Sequence, residues 1–393
     1  MLMGGIKANA QQLNSEDSTA KGKSNSATYF GGYGNIFYQH DGNEENAQIN
    51  VERLVLFAGH KFNDKFSFFS EIELEDAKVE GGEEGGELAL EQAYIRFNLS
   101  RNSYLTAGLF IPRIGILNED HLPNTYHGNE RTQIETLIIP STWRELGVGY
   151  YTTMPGVPLE ISAAIMNGLN SSEFKHGTLI RGGRAEGRNA SANNLAITGS
   201  LRYSIKKFTF QASGYFGGTV ALTPVEADSL RLESGAFGTP VFLGEGNIQY
   251  KKNAFTVKVL ATMVSIPDAG NLNSSFATNI AKKAFGYYVE TGYDFLYRKD
   301  STKKKALIGF LRYENFDLNS SIPANGINDP TLVQQHFVGG ISYLPIPQIA
   351  IKADVRVVST GDQNPALIIN PNPNAPPYKN ENTFINIGFG YSF

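Results

Sequence analysis

Residues 112–145 mix acids, bases and imidazoles more densely than any other stretch of the chain, with Arg113, Glu119, Asp120, His121, His127, Glu130, Arg131 and Glu135 in quick succession. Imidazoles among carboxylates raise two chemistries, metal ligation and general acid–base work. The segment carries no H-E-x-x-H spacing and no pattern of supporting ligands, so hydrogen bonds and ion pairs within a folded loop account for it better than a metal does. A hydrolase would need a Ser, a His and an orienting polar partner. His40, His60, His176 and His336 stand apart with no such Ser context, and His336 is expected to line the interior as a polar residue. The acidic run at 80–87 lacks the Asp-rich spacing of a calcium loop and is expected to be solvated. The chain has no Cys, which excludes thiolate metal sites, disulfides and Cys nucleophiles. No catalytic residue, metal or cofactor is assigned, and no enzyme activity is expected. The net charge of −4 argues against a nucleic-acid partner.

The same segment carries Ile134, Leu137, Ile138 and Ile139, which need burial. A long connection with both apolar anchors and charges is expected to fold rather than float. The elements around it are strands. In the last one, Ile385, Ile387, Phe389, Tyr391 and Phe393 share one face, and Asn386, Gly388, Gly390 and Ser392 share the other. An unbroken apolar face beside a small polar one is the pattern of a transmembrane β-barrel, with lipid outside and a wet lumen within. No run of about 20 apolar residues is available for a spanning helix. Abundant Gly (41), Phe (25) and Tyr (19) suit a barrel with aromatic girdles.

Period-2 segments place strands near 29–39, 49–60, 66–76, 88–98, 103–111, 143–153, 159–168, 195–205, 207–218, 242–251, 254–264, 285–297, 305–314, 334–343, 348–358 and 383–393. That predicts an all-β fold, a sixteen-stranded antiparallel barrel over 28–393. Connections after even-numbered strands are short. Those after odd-numbered strands are mostly long and polar, about 10 residues after the first and third and 20 to 30 after most others. This sorting implies short periplasmic turns, long extracellular loops and periplasmic ends. The segment 112–142 is expected to fold into the lumen and narrow it. Ala8-Asn9-Ala10 reads as the end of an export-signal remnant at 1–10, and 11–27 as a flexible polar segment. The Pro/Asn run at 370–377 reads as a solvated loop.

A lipid-facing Lys or Arg at mid-bilayer costs about 2–4 kcal/mol, so strand charges should point inward. The wall candidates are Arg96, Arg202, Lys258, Arg312, Lys352 and Arg356, with Glu71, Glu73 and Glu75 as an acidic row. The constriction candidates are Arg113, Glu119, Asp120, His121, Glu130, Arg131 and Glu135. On the strand at 49–60 the pattern conflicts, because Arg53 shares a face with Val51, Val55 and Phe57.

Three stretches carry a family resemblance: Gly108-Leu109-Phe110-Ile111-Pro112, Asn118-Glu119-Asp120-His121-Leu122-Pro123, and 138–149, which opens Ile138-Ile139-Pro140-Ser141-Thr142-Trp143. With the strand layout, the chain resembles the phosphate-selective porin O/P family in its Bacteroidota branch, over roughly 29–393. The resemblance implies an outer-membrane channel, usually a homotrimer, with an inward loop at its constriction. Phosphate channels of that family line their pores with arginines. The mixed charges here depart from that, and phosphate specificity does not carry over. The expectation is passive diffusion of small hydrophilic solutes or ions, anions such as phosphate among them, across the bacterial outer membrane, in contact with its lipid. The alternative is a non-channel barrel acting structurally or adhesively through its loops.

Overall fold

The computed structural model describes residues 26–76, 87–298, 305–368 and 377–393. Its strands are β1 (Ala27–Asp41), β2 (Asn46–Lys61), β3 (Phe66–Glu75), β4 (Glu87–Asn98), β5 (Ser103–Phe110), β6 (Glu145–Thr153), β7 (Leu159–Asn167), β8 (Leu195–Ile205), β9 (Phe208–Gly217), β10 (Val241–Lys252), β11 (Phe255–Ser265), β12 (Lys283–Asp294), β13 (Ala306–Ser321), β14 (Val333–Ile346), β15 (Ile349–Thr360) and β16 (Glu381–Ser392). Each pairs antiparallel with its sequence neighbours, and β16 pairs with β1, so the sheet closes as a sixteen-stranded barrel. At the seam the Gly32 N–H donates to the Phe393 carbonyl at 3.1 Å, and the Phe393 N–H donates back to Gly32 at 2.9 Å. Closure leaves no unpaired strand edge, which is what a sheet in lipid requires.

The outward face is apolar and uncovered. Ile165, Leu201, Met263, Leu311, Phe337, Ile341, Ile351 and Ile387 are all exposed on it. Exposed aromatics such as Phe62, Phe66, Phe208, Phe255, Tyr293 and Phe295 gather near the short-turn end. A continuous exposed apolar band with aromatic residues at its margin is a surface made for lipid.

One irregularity settles the conflicting pattern on β2, and a second of the same kind lies on β4. The β1–β2 register runs Asn35↔Arg53 and then Ile36↔Val51, so Glu52 is an extra residue in a β-bulge. A bulge shifts the phase of alternation by one. Val51 therefore faces out, while Arg53 and Val55 face in and are buried. On β4 the register runs Glu71↔Gln92 and then Ile72↔Leu90, which makes Glu91 the extra residue. Glu91 and Gln92 are both buried inside.

The expected strands are all present, with two departures. β13 continues to Ser321, well past 314, because its polar end still pairs: Glu314 with His336 and Asp317 with Val333. The first connection is a turn at 42–45, not a loop of about 10 residues, because the polar flanks Gln39↔Gln48 and Asp41↔Asn46 stay in register. The readings at 1–10, most of 11–27, the acidic run through 86 and the Pro/Asn run at 370–376 lie outside the described residues.

Among the described residues, three short α-helices sit in long-side connections: α1 (Ile134–Leu137), α2 (Pro224–Ser229) and α3 (Ala269–Phe276). Their apolar residues join inward strand residues in one cluster inside the wall, including Ile134, Ile138, Trp143, Met166, Ile180, Tyr215, Leu243, Leu260, Leu272 and Phe316.

Candidate functional site

The connection between β5 and β6 is almost wholly buried within the barrel. Opposite sides of the wall hold it by different chemistry. On the β12–β13 side the contact is apolar. Gly286 of β12 gives α1 room: a Cβ there would stand 2.9 Å from Ile138 Cδ1 and 2.8 Å from Phe316 Cβ. Glu135, 1% exposed, turns its carboxylate into the loop itself, accepting from the backbone N–H groups of Ile116 (2.5 Å) and Leu117 (2.7 Å) and from the Tyr288 hydroxyl (2.7 Å). Burial pushes its carboxyl up to about 7 against those three donors.

On the β13–β16 side the contacts are polar. Lys352 Nζ donates to the carbonyls of Tyr126 (2.9 Å) and Gly128 (2.7 Å). Asp354 Oδ2 accepts from the Asn129 backbone (2.8 Å) and side chain (2.7 Å). Glu314 accepts from the Gln133 N–H at 2.7 Å. Arg356 Nε lies 3.0 Å from Glu130. Arg312 stands between Glu290 (3.4 Å) and Glu314 (2.9 Å), and Lys258 reaches Glu290 at 3.4 Å. Lys352, Asp354, Glu314, Arg356 and Arg312 each aim a charged group at one point of the loop, and Glu290 with Lys258 holds Arg312 in place. The small polar face of β16 has the same purpose. A Cβ on Gly390 would meet Pro123 Cβ at 2.5 Å, one on Gly388 would meet Asn129 Oδ1 at 2.6 Å, and Asn124 donates to Ser392 Oγ at 3.0 Å. That face is the bed of the loop, where a wet lumen was expected.

Above this layer lies a cavity of about 300 Å³ with charged walls. The strand side supplies Glu52, Glu73, Glu75 and Glu87, with Arg53 set among them at 3.0 Å from Glu52, 3.3 Å from Glu73 and 3.9 Å from Glu75. The loop side supplies Arg131, Arg144, Arg181 and Arg184, with Glu130 and Glu186. The 168–194 connection latches the β5–β6 loop here. Arg181 donates to the Thr136 carbonyl at 2.9 Å, and Arg184 donates to the Ser141 carbonyl at 3.3 Å and pairs with Glu186 at 2.9 Å. Burial lowers the Arg184 guanidinium to about 10, still charged at neutral pH. Six acids and five arginines line this cavity, so its fixed charge nearly cancels while its sides differ in sign.

The structure thus divides the sequence candidates. Glu73, Glu75, Glu130 and Arg131 line the cavity. Glu135, Lys258, Arg312, Lys352 and Arg356 hold the loop or the groups that hold it. Arg113, Glu119 and Arg202 form a separate cluster: Arg113 pairs with Glu119 (2.8 Å) and Glu160 (3.0 Å), and Arg202 contacts the other Glu119 oxygen. Arg96 lies over the Tyr104 ring at 3.7 Å and donates to Asn98 at 2.9 Å. Asp120 is half-buried, and its backbone carbonyl accepts from the Thr125 hydroxyl at 2.8 Å. Glu71 and His121 are buried side by side at 4.0 Å. His336, expected as a lining residue, is instead 2% exposed and edge-on to Phe316 at 5.2 Å. Sequence reasoning missed Glu52 and Glu91, which strict alternation hides and only a bulge turns inward. It also missed Arg144, Arg181 and Arg184. Arg181 and Arg184 lie at i, i+3 in a loop where no periodicity marks a direction.

The same architecture occurs in solved outer-membrane barrels. OmpF of Salmonella typhi, solved in complex with daunomycin, superposes with a TM-score of 0.57 at 12% identity, covering 94% of this chain and 98% of that one. The outer-membrane channel DcaP of Acinetobacter baumannii gives 0.55 at 14% identity over 95% and 99%. The anion-selective porin of Comamonas acidovorans gives 0.53 at 11% identity over 94% and 100%. The fold is therefore that of a porin, a sixteen-stranded barrel of the bacterial outer membrane. No family model matches the sequence. An uncharacterized protein of Aquifex aeolicus (strain VF5) is 31% identical over 337 residues, 82% of this chain and 74% of that one, and the chain belongs to that protein's family.

Proposed function

We propose that the protein is a passive diffusion channel for small hydrophilic solutes and ions, with its filter at the cavity between the Glu52/Glu73/Glu75/Glu87 side and the Arg131/Arg144/Arg181/Arg184 side. The observation that carries this reading is the inward loop itself. It is fixed to the wall at many points, and it leaves beside it a polar space whose two sides carry opposite charge. A narrow passage selects by diameter and by the field of its lining charges. Opposite charges across a short gap favour polar solutes with separated charge or a dipole. A near-zero sum gives little overall preference between cations and anions.

The resemblance to the phosphate-selective porin O/P family supports a channel and a homotrimer. A Vibrio cholerae OmpT structure of the same fold, with a TM-score of 0.50, is described as a trimer form. Phosphate selectivity is not part of the proposal. A phosphate pore needs arginines stacked with few acids opposite them, whereas Arg53 here is neutralised by three glutamates.

Single-channel recording in a planar bilayer tests the proposal. The expected result is discrete conductance steps and a reversal potential near zero in a potassium chloride gradient. Removal of 116–140 should raise the conductance several-fold. Absence of steps from correctly folded protein overturns the channel. Block of chloride current by micromolar phosphate, together with strong anion selectivity, overturns the account of the filter.

A further inference from the structure

One cluster lies beneath the cavity and takes no part in lining it. Glu71 comes from β3, Glu91 from the bulge on β4 and His121 from the inward loop. All three are buried, and one donor atom from each falls within 4.8 Å of the others. We propose that they form a binding site for a divalent transition-metal ion of the zinc type, which would fasten the loop to the β3–β4 wall.

The donor set suits such an ion. One imidazole and two carboxylates, with no thiolate, are borderline-to-hard ligands, and the two carboxylates neutralise a divalent charge. Glu71 Oε1 and His121 Nε2 are 4.0 Å apart, beyond hydrogen-bond reach. Two metal–ligand bonds of about 2.0–2.2 Å bridge that gap with a small side-chain adjustment. The remaining atoms of the ligands are already held from outside. The His121 Nδ1 lies 3.4 Å from the Asn118 carbonyl, which fixes a proton there and leaves Nε2 free to ligate. Gln92 donates to Glu71 Oε2 at 2.6 Å, and the Tyr33 hydroxyl donates to Glu91 Oε2 at 3.2 Å.

The independent observation is Glu91 Oε1. It is a fully buried carboxylate oxygen with no hydrogen-bond partner among the described residues, on a residue that a bulge carries into the interior. A carboxylate oxygen left this way costs several kcal/mol unless a cation or proton meets it. Its Oε2 is taken by Tyr33, so Oε1 is the atom available to a cation. The cavity lies close by: Glu73, two residues from Glu71, lines it, as does Arg131, which donates to the His121 carbonyl at 3.4 Å.

The test is calorimetric titration of the full-length folded barrel, stripped with EDTA, with zinc chloride. This does not depend on the channel reading, since the ion binds whether or not the barrel conducts. One zinc ion per chain is expected, and Glu91→Gln and His121→Gln should each weaken binding by at least about 10-fold. Heat-modifiable gel mobility establishes that the variants are folded. Where a variant does not fold, X-ray absorption of the zinc-loaded wild type decides, a shell of one imidazole with oxygens supporting the site and a shell without imidazole overturning it. No saturable 1:1 binding to the wild type, or wild-type affinity in both folded variants, also overturns the proposal.

Discussion

The two sides of the barrel interior hold the same loop by unlike means. Toward β9–β13, Ile134, Ile138 and Trp143 pack into an apolar cluster with Tyr215 and Phe316. Toward β13–β16, the loop meets Arg312, Glu314, Lys352, Asp354 and Asn386, each aimed at a particular carbonyl, amide or side chain. Apolar contact scales with area and tolerates small shifts. Buried charges contribute little net stability once their desolvation is counted, but they are costly to leave unpaired and so fix position. The apolar side supplies adhesion and the charged side supplies register. A filter needs both, since its charges select only if the loop does not slide.

The comparison breaks most directly at Trp143. It is fully buried, its ring lies tilted against Tyr215 with centroids 4.8 Å apart, and its Nε1 donates to Glu145 at 3.2 Å. Trp143→Ala is expected to cost about 3–5 kcal/mol and leave the 112–144 segment loosely held. Limited proteolysis within the loop, compared with the intact barrel, reads this out. Protection equal to wild type would show that the charged side alone holds the loop.

Arg312 is the corresponding point on the charged side. Arg312→Ala is expected to cost about 3 kcal/mol, because Glu290 keeps Lys258 and Glu314 keeps the Gln133 N–H. The loop should remain bound but lose its single position. Broadened conductance levels with near-normal proteolytic protection are the expected signature. Rapid loop cleavage would instead place adhesion on this side.

The strand count and the strand faces were legible because lipid and interior impose period 2 directly on side-chain polarity. Ile134, Ile138 and Ile139 asked for burial in the sequence, and all three are buried. What alternation could not show was any place where it fails. The bulges at Glu52 and Glu91 each insert one residue; the first shows in the sequence only as the conflict of Arg53 with Val51 on one face, and nothing local marks the second. The roles of the wall charges were hidden for a related reason. Alternation says that Lys352 faces inward, and gives no sign that the Tyr126 and Gly128 carbonyls will be waiting there. The Gly388–Gly390 face was read as open to water, because small residues look the same whether water or backbone covers them.

Glu135 sharpens the comparison as a carboxylate on the apolar side. Its folded value of about 7 lies above the usual 4.5. The protonated form is favoured in the fold, so stability is greatest below pH 4.5 and falls as pH rises from there to about 7. The ceiling on this loss, 2.5 units at 1.36 kcal/mol each, is about 3 kcal/mol, and water in the lumen lowers it. Glu135→Gln keeps an acceptor for Ile116 and Leu117 without the charge. Loop protection in the wild type should be lower at pH 8 than at pH 5 and nearly level in the variant. An equal decline in both would assign the pH response to another group.

The smallest effect belongs to Arg356. Its guanidinium lies 4.2 Å above the Phe384 ring, and its Nε is 3.0 Å from Glu130, off the line of a hydrogen bond. Glu130 retains the Asn386 amide at 3.0 Å, so loss of the arginine does not strand it. Glu130 also borders the cavity, where water screens it. Arg356→Gln should therefore cost only about 1 kcal/mol in loop protection, the scale of a partly exposed pair. A pair of this kind weakens with salt, whereas apolar packing does not. Raising salt from about 0.1 to 1 M, over which the Debye length falls from about 10 to 3 Å, should bring wild type and variant together. A difference that persists at high salt would mean that Arg356 acts through its stacking on Phe384, and would move this one residue from the charged side of the comparison to the apolar side.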